Sequence, residues 1–180
     1  MKKILILTGS IRKNGNSNAL AEAFAKGARD VGHSVKTIES ARLHIEGCKV
    51  CNQCYQNGKA CTQEDDFNKV APYVEDADVV VFATPIYWFS FPAKLKALID
   101  KFYAFCVASK DVSEKSCVLL ACGEAVDAVT PDGILLSYHL IADYLKWKNA
   151  GEICALGYSG AGEIIGAREL DVAEQLGAHI

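Results

Sequence analysis

Two stretches of this chain carry residues whose types and spacing could do chemistry. The first is Thr8–Asn18, which gathers hydroxyls, side-chain amides and the basic pair Arg12 and Lys13. Such a composition suits a phosphate. Ser10, Ser17, Asn16 and Asn18 can donate hydrogen bonds, and Arg12 can donate a charge-assisted one. If a helix starts there, its free N–H groups and partial positive charge bind an anion with few formal counter-charges. Gly9 and Gly15 lack GxGxxG spacing, and no Gly-Lys-Ser/Thr follows, so dinucleotide and P-loop readings are excluded. Taken alone, the stretch could also be a polar turn capped by Asn16, Ser17 or Asn18. The second stretch is Cys48-x2-Cys51-x2-Cys54-x6-Cys61. Closely spaced thiolates can converge on one soft metal centre, and C-x2-C-x2-C is an iron–sulfur spacing, whereas zinc sites more often use two separated pairs.

A third stretch, Pro85-Ile86-Tyr87-Trp88-Phe89-Ser90-Phe91-Pro92, holds four aromatics where a surface loop is usually polar. A flat apolar ligand such as an isoalloxazine ring would cover them, and backbone groups of a Pro-stiffened loop could bond its polar edge. A core or subunit-contact role is the alternative. Cys122-Gly123-Glu124 is a weaker candidate at the end of another apolar run. His33, His44, His139 and His179 lack ligand spacing. Asp65-Asp66 precedes a helix and reads as N-capping rather than metal binding or acid catalysis. Cys106, Cys117, Cys122 and Cys154 fall in or beside core elements and receive no chemical role.

These stretches need strands and helices to place them. Lys3–Thr8 is an almost unbroken apolar run, the pattern of a strand buried on both faces. Ser17–Val31 sets Leu20, Phe24, Ala28 and Val31 on one helical face, with Gly32 as a stop. Gly27 shares that face and is expected to let the helix lie close on the sheet. Val35–Glu39 reads as a weaker strand, and residues 40–64 as a Cys-rich loop insertion without helical period. Asp65–Glu75 is a short helix despite Pro72, and Ala77–Ala83 a buried strand that Thr84-Pro85 stops. Pro92–Phe105 is one helix, Ser116–Ala121 a strand, Ile134–Trp147 a helix, Glu152–Tyr158 a strand and Glu163–Leu176 a closing helix. Strand–helix alternation with right-handed crossovers gives an α/β fold: a doubly wound five-stranded parallel sheet with helices on both faces. Ligands then sit at the carboxyl ends of the strands.

Bulk properties narrow the classes. The 180 residues are 51% hydrophobic and 23% charged with a formal net charge of −3, which fits one globular domain over 1–180 and no nucleic-acid partner. The apolar run at the N-terminus is too short for an export signal, and no run approaches the roughly 20 residues of a membrane span, so the expected compartment is cytoplasmic with no membrane partner. Eight cysteines in such a chain read as reduced thiols or metal ligands rather than a disulfide scaffold.

The Gly9-Ser10-Ile11-Arg12 and Gly15-Asn16-Ser17 stretches together closely resemble the phosphate loop of the NADPH-dependent FMN reductase family. Pro85-Ile86-Tyr87-Trp88, and the helix through Leu98-Ile99-Asp100-Lys101, resemble the same family, in which an arginine often stands where Lys101 does. The resemblance implies a flavodoxin-like sheet of order 2-1-3-4-5 and an FMN cofactor reduced by NAD(P)H. It implies cofactor-binding roles for Ser10, Arg12, Asn16, Ser17, Asn18, Pro85, Ile86, Tyr87, Trp88, Phe89, Gly123 and Glu124. The implied activity passes electrons from a small-molecule donor to a flavin, quinone or other small acceptor. The other redox reading is an FMN electron carrier that turns over no small molecule and docks to a ferredoxin-like protein. The loop from Glu46 to Asp66 resembles that of iron–sulfur flavoproteins, which would make Cys48, Cys51, Cys54 and Cys61 ligands of a [4Fe-4S] cluster; free thiols, oxidised pairs or another metal stay open. Pairing into a homodimer or dimer of dimers is also implied, with Phe89, Phe91, Phe102 and Tyr103 at the contact. A receiver domain is excluded, because its acidic pair and phosphoacceptor Asp are replaced by Thr-Gly-Ser and Thr84-Pro85. A zinc-bearing interaction module is the remaining non-redox reading.

Overall fold

The apolar runs become five strands: β1 (Lys3–Thr8), β2 (Ser34–Glu39), β3 (Val79–Pro85), β4 (Ser116–Gly123) and β5 (Lys148–Leu156). In the structure, a computed structural model that describes residues 1–180, they pair in parallel in the order β2-β1-β3-β4-β5. Six helices flank the sheet: α1 (Asn16–Asp30), α2 (Phe67–Asp76), α3 (Ala93–Asp100), α4 (Tyr103–Val107), α5 (Asp132–Leu145) and α6 (Arg168–Ala178). Successive strand residues face opposite sides. Ile4, Ile6, Val79, Val81, Val118 and Leu120 therefore pack toward α1 and α6, while Leu5, Leu7, Val80, Phe82 and Leu119 pack toward α2–α5. Both faces of the central strands are covered, which is why their sequences are apolar without alternation. β2, at the edge, is half polar and reads more weakly. No helix is long and apolar enough to cross a membrane.

Several boundaries differ from the sequence reading, each for a physical reason. Thr84-Pro85 does not stop β3, which continues through Pro85 opposite Cys122. Ala83 O accepts from Gly9 on the β1 side and Ile86 N–H donates to Cys122 O on the β4 side. The Pro85 nitrogen thus faces the side where β1 has ended, so its missing N–H leaves no rung open. The single helix expected over Pro92–Phe105 breaks into α3 and α4. Lys101 and Phe102 N–H bond three residues back, to Leu98 and Ile99, and this tightening turns the Lys101 side chain into the core. β5 begins at Lys148 rather than Glu152, because an edge strand tolerates polar residues; a register shift opposite Cys117/Val118 absorbs the irregular start. The closing helix starts at Arg168 rather than Glu163, since Gly162 and Gly166 both hold φ of +84°, outside the helical region.

Gly27 does allow a close approach, but to α6 rather than to the sheet. A Cβ there would lie 1.9 Å from Glu174 O, and one on Gly177 would lie 2.1 Å from Phe24 O. The two backbones touch through this pair of glycines, and the contact fixes α6 against the helix that leads out of the first loop.

Candidate functional site: a cleft at the carboxyl edge of the sheet

A cleft of about 150 Å³ opens over the carboxyl ends of β1, β3 and β4. It is lined by Ser10, Arg12, Gly15, Asn16, Ser17, Pro85, Ile86, Tyr87, Cys122, Gly123, Glu124 and Tyr158. Three loops far apart in sequence meet there because parallel strands deliver all their carboxyl ends to one edge. The structure brings together Ser10, Arg12, Asn16, Ser17, Pro85, Ile86, Tyr87, Gly123 and Glu124 of the expected site residues. Asn18, Trp88 and Phe89 stand outside the lining.

One wall is the start of α1. Gly15 is its N-cap, no side chain caps it, and no acidic residue stands in its first turn, so the Asn16 and Ser17 N–H groups have no acceptor within the helix, while Asn18 N–H closes onto Gly15 O at 3.0 Å. Ser17 is 2% exposed, and its Oγ has no hydrogen-bond partner. A buried hydroxyl without a partner costs about 1–3 kcal/mol unless a ligand satisfies it. Ser10, 4% exposed, accepts from Arg12 N–H at 3.2 Å. A Cβ on Gly15 would come within 2.8 Å of Ser10 Oγ, so a side chain there would displace the Ser10 hydroxyl. Asn18 closes the loop from behind, donating to Arg12 O at 3.3 Å.

Arg12 and Asn16 line the cleft but are already engaged. Arg12 Nη1 donates to Ser159 O at 2.8 Å. Asn16 Nδ2 donates to Gly160 O at 2.8 Å, and its Oδ1 accepts from Gly162 N–H at 3.0 Å and Ile164 N–H at 3.3 Å.

Of the aromatic stretch, Pro85, Ile86 and Tyr87 form the opposite wall, with Tyr87 its one aromatic. Ile86 and Tyr87 N–H are spent on Cys122 O and Ser90 O and so are not free for a ligand's polar edge. Tyr87 and Ser90 exchange both backbone bonds around Trp88 and Phe89, whose φ values of +48° and +62° make a two-residue turn with both central residues left-handed. Trp88 is consequently 94% exposed. Phe91 and Phe102, expected at a subunit contact, are 5% and 3% exposed and belong to this chain's own core, whereas Phe89 and Tyr103 stay on the surface.

Sequence reasoning left Cys122 and Tyr158 out of the site. Burial, and secondarily the Glu169 carboxylate, pushes the Cys122 thiol up to about 11, so it is neutral and inert in the cleft. Tyr158 donates to Glu169 at 3.3 Å, and burial followed by the Glu169 charge raises its phenol. The signal that could have found both was position: each stands at the carboxyl end of a strand on the ligand-bearing edge.

The cysteine stretch forms a separate loop on the α2–α4 side. Cys61 is buried, Cys48 and Cys54 are half-buried and Cys51 is exposed; all are free thiols. Burial is the main reason the Cys54 thiol is raised, followed by the charges of Cys61, Cys51 and Cys48, so the four lie in one neighbourhood. No three of them, alone or with His, Asp or Glu, converge closely enough to hold a metal ion. Cys48, Cys51, Cys54 and Cys61 thus share one neighbourhood without the spacing of a single-ion site. What organises the loop is its far end. Asp65 and Lys101 form an ion pair with both side chains 1% exposed, and Lys101 Nζ lies 3.6 Å from Cys61 Sγ. Asp65 also accepts from Phe67 N–H at 3.1 Å and Glu46 N–H at 2.9 Å, and Asp66 from His44 N–H at 2.8 Å. The acidic pair, expected to cap a helix, mainly ties the loop's two ends together.

The largest groove, about 620 Å³, lies elsewhere, between α3–α4 and α5, lined by Ile99, Phe102, Tyr103, Leu140, Tyr144 and their neighbours. Its walls are mostly apolar, and the charges at its edge, Lys96 and Asp100, pair with each other.

Comparison with known proteins agrees with the fold and the loops. The chain is 34% identical over 101 residues to an iron–sulfur flavoprotein of Archaeoglobus fulgidus, an alignment covering 56% of this chain and 45% of that protein. It is 30% identical over 99 residues to an iron–sulfur flavoprotein of Methanosarcina thermophila, covering 55% and 51%. The chain thus spans about half the length of the curated relatives it matches. Among solved structures, the NAD(P)H:quinone oxidoreductase from Methanothermobacter marburgensis superposes with a TM-score of 0.74 at 20% identity, covering 99% of this chain and 95% of that one. Likeness at that identity shows the shared fold. Residues 2–132, which include both principal walls of the cleft, match the family model for NADPH-dependent FMN reductases, and the chain belongs to that family.

Proposed function

We propose that the cleft holds FMN by its phosphate end and that the chain is an NAD(P)H-dependent oxidoreductase delivering electrons to a flavin, quinone or other small acceptor. The observation that carries this reading is the buried, unpartnered Ser17 Oγ at an uncapped helix start free of acidic residues, in one cleft with Tyr87 and Gly123. The residues present fit the group: donors without acceptors for a dianion, and an apolar edge beside them for a ring. When bound, FMN supplies hydride acceptance and release of electrons singly or in pairs. Ser10, Ser17 and the first-turn N–H groups of α1 bind the phosphate, and Pro85-Ile86-Tyr87 borders the ring. Gly123, with no side chain, lets the ring approach the end of β4, and the neutral Cys122 thiol adds no charge beside it. No side chain is assigned as a proton donor or acceptor, and no electron route through the cysteine loop enters the reading. The test is NADH and NADPH oxidation by FMN-loaded protein with a quinone as acceptor. Turnover supports the enzyme, whereas flavin binding without turnover would leave an electron carrier.

The apolar groove between α3–α4 and α5 supports a homodimer as the working assembly. Leu140 and Tyr144 are 60% and 73% exposed there beside Ile99, Tyr103 and Ile141, a grouped apolar face rather than scattered surface residues. Sedimentation at micromolar concentration should give twice the chain mass, and Leu140→Lys should return it to the chain mass; a wild-type monomer would contradict this.

A further inference from the structure

Asn16 stands at the first position of α1, where a side-chain amide facing the ligand is the natural expectation. Its amide is instead engaged by the chain itself. Its side-chain bonds go to Tyr158, Gly160, Gly162 and Ile164, and the neighbouring Arg12 reaches Ser159. The segment so held, Ser159–Ile164, lies beyond residue 132, where the family match ends. It contains no helix or strand. Apart from the Asn16 and Arg12 bonds, it is fixed by Ser159 N–H donating to Glu163 at 2.8 Å and by Ile164, which is fully buried. Tyr158, immediately before it, lines the cleft. Two residues that line the cleft thus hold a segment from the far end of the chain, directly after Tyr158.

We propose that Asn16 is a positioning residue that seats Ser159–Ile164 across the phosphate end of the cleft, restricting the cofactor to a flavin monophosphate and excluding a flavin dinucleotide. The inference rests on the reading that the cleft binds FMN. A monophosphate ends at the start of α1. A dinucleotide must continue from the same phosphate through a second phosphate and a nucleoside, leaving past the helix start, where Ser159 and Gly160 turn their carbonyl oxygens toward Arg12 and Asn16. Ser159–Gly166 offers no Lys or Arg to neutralise the added phosphate and carries the Glu163 carboxylate. The Arg12 guanidinium, which lines the cleft, donates to Ser159 O. Rejection therefore comes from occupied space and from unpaired negative charge, the two devices by which a site discriminates against a larger analogue.

The test is titration of flavin-free full-length protein with FMN and with FAD, for wild type, Asn16→Ser and Asn16→Ala. Serine keeps a hydroxyl at the helix start but cannot span Gly160 and Gly162, so it serves if the alanine variant does not fold. The wild type should prefer FMN. In Asn16→Ser the FMN/FAD ratio should fall about tenfold, chiefly by a gain in FAD affinity, and limited proteolysis should cut faster within 159–162. Equal loss of affinity for both flavins, or an unchanged ratio, would overturn the proposal and make Asn16 a direct ligand contact or a plain structural residue. A wild type that takes both flavins equally would overturn it too, leaving the FMN reading intact. A wild type that binds neither would overturn that reading and this inference with it.

Discussion

Lys101 and Asp65 are both 1% exposed and hold the cysteine loop to the end of α3. A buried pair of this kind is costly to break from one side, because the partner left behind keeps its charge without compensation. Lys101→Met should therefore cost about 3–5 kcal/mol in urea denaturation, although methionine matches the lysine stem in length; a loss below about 1 kcal/mol would mean that water reaches Asp65. Nothing in the residues around Lys101 announced this contact, because its partner is 36 positions away and a lysine in an amphipathic helix usually points to solvent. The first loop was more legible. Ser10 and Ser17 were readable as residues of the cleft because they stand between a buried strand and a helix start, at the carboxyl edge of the sheet. Arg12 and Asn16 carried the same signature, yet they are engaged by a segment more than 140 residues away, which local spacing cannot reveal. The cysteine spacing was specific as a pattern, but the path of the loop, with Val50, Asn52 and Tyr55 all at positive φ, decides where each thiol points.

α1 owes its placement to α6. Alanine normally stabilises a helix relative to glycine by about 1 kcal/mol. At Gly27 the new Cβ would collide with Glu174 O at 1.9 Å, a backbone atom that no rotamer change can move aside. Gly27→Ala should thus destabilise the protein by about 1–3 kcal/mol, and stabilisation of either size would show that α6 is not seated as described. Strands β1, β3 and β4 were readable almost to the residue, since burial on both faces leaves an unbroken apolar run. β5 and α6 were misplaced by several residues. An edge strand can begin with Lys148 and Asn149, and Gly162 and Gly166 interrupt what periodicity alone joins into one helix. That misplaced stretch is the one that Arg12 and Asn16 hold.

At the level of the whole molecule, burial raises the thiols of Cys122 and Cys154 to about 11, from 9.0 in the unfolded chain. Between these values the unfolded chain has released protons that the folded chain still holds. Unfolding is therefore favoured as pH rises, and the stability these groups contribute below about pH 9 is lost progressively toward about pH 11. The urea midpoint should fall between pH 8 and about pH 10.5; a flat profile would contradict the burial of these thiols. The architecture explains why one edge holds all the chemistry: a parallel sheet sends every strand end, and so every candidate loop, to the same side. The central claim is that Ser17 and the uncapped start of α1 hold the phosphate of FMN. It is tested most directly by fluorescence titration of flavin-free protein with FMN and with riboflavin, which differ by that phosphate alone, repeated with Ser17→Ala. The account predicts that FMN binds more tightly than riboflavin and that Ser17→Ala weakens FMN about tenfold while leaving riboflavin unchanged. Equal affinity for the two flavins in the wild type, or a Ser17→Ala variant that binds FMN as well as the wild type does, would contradict it.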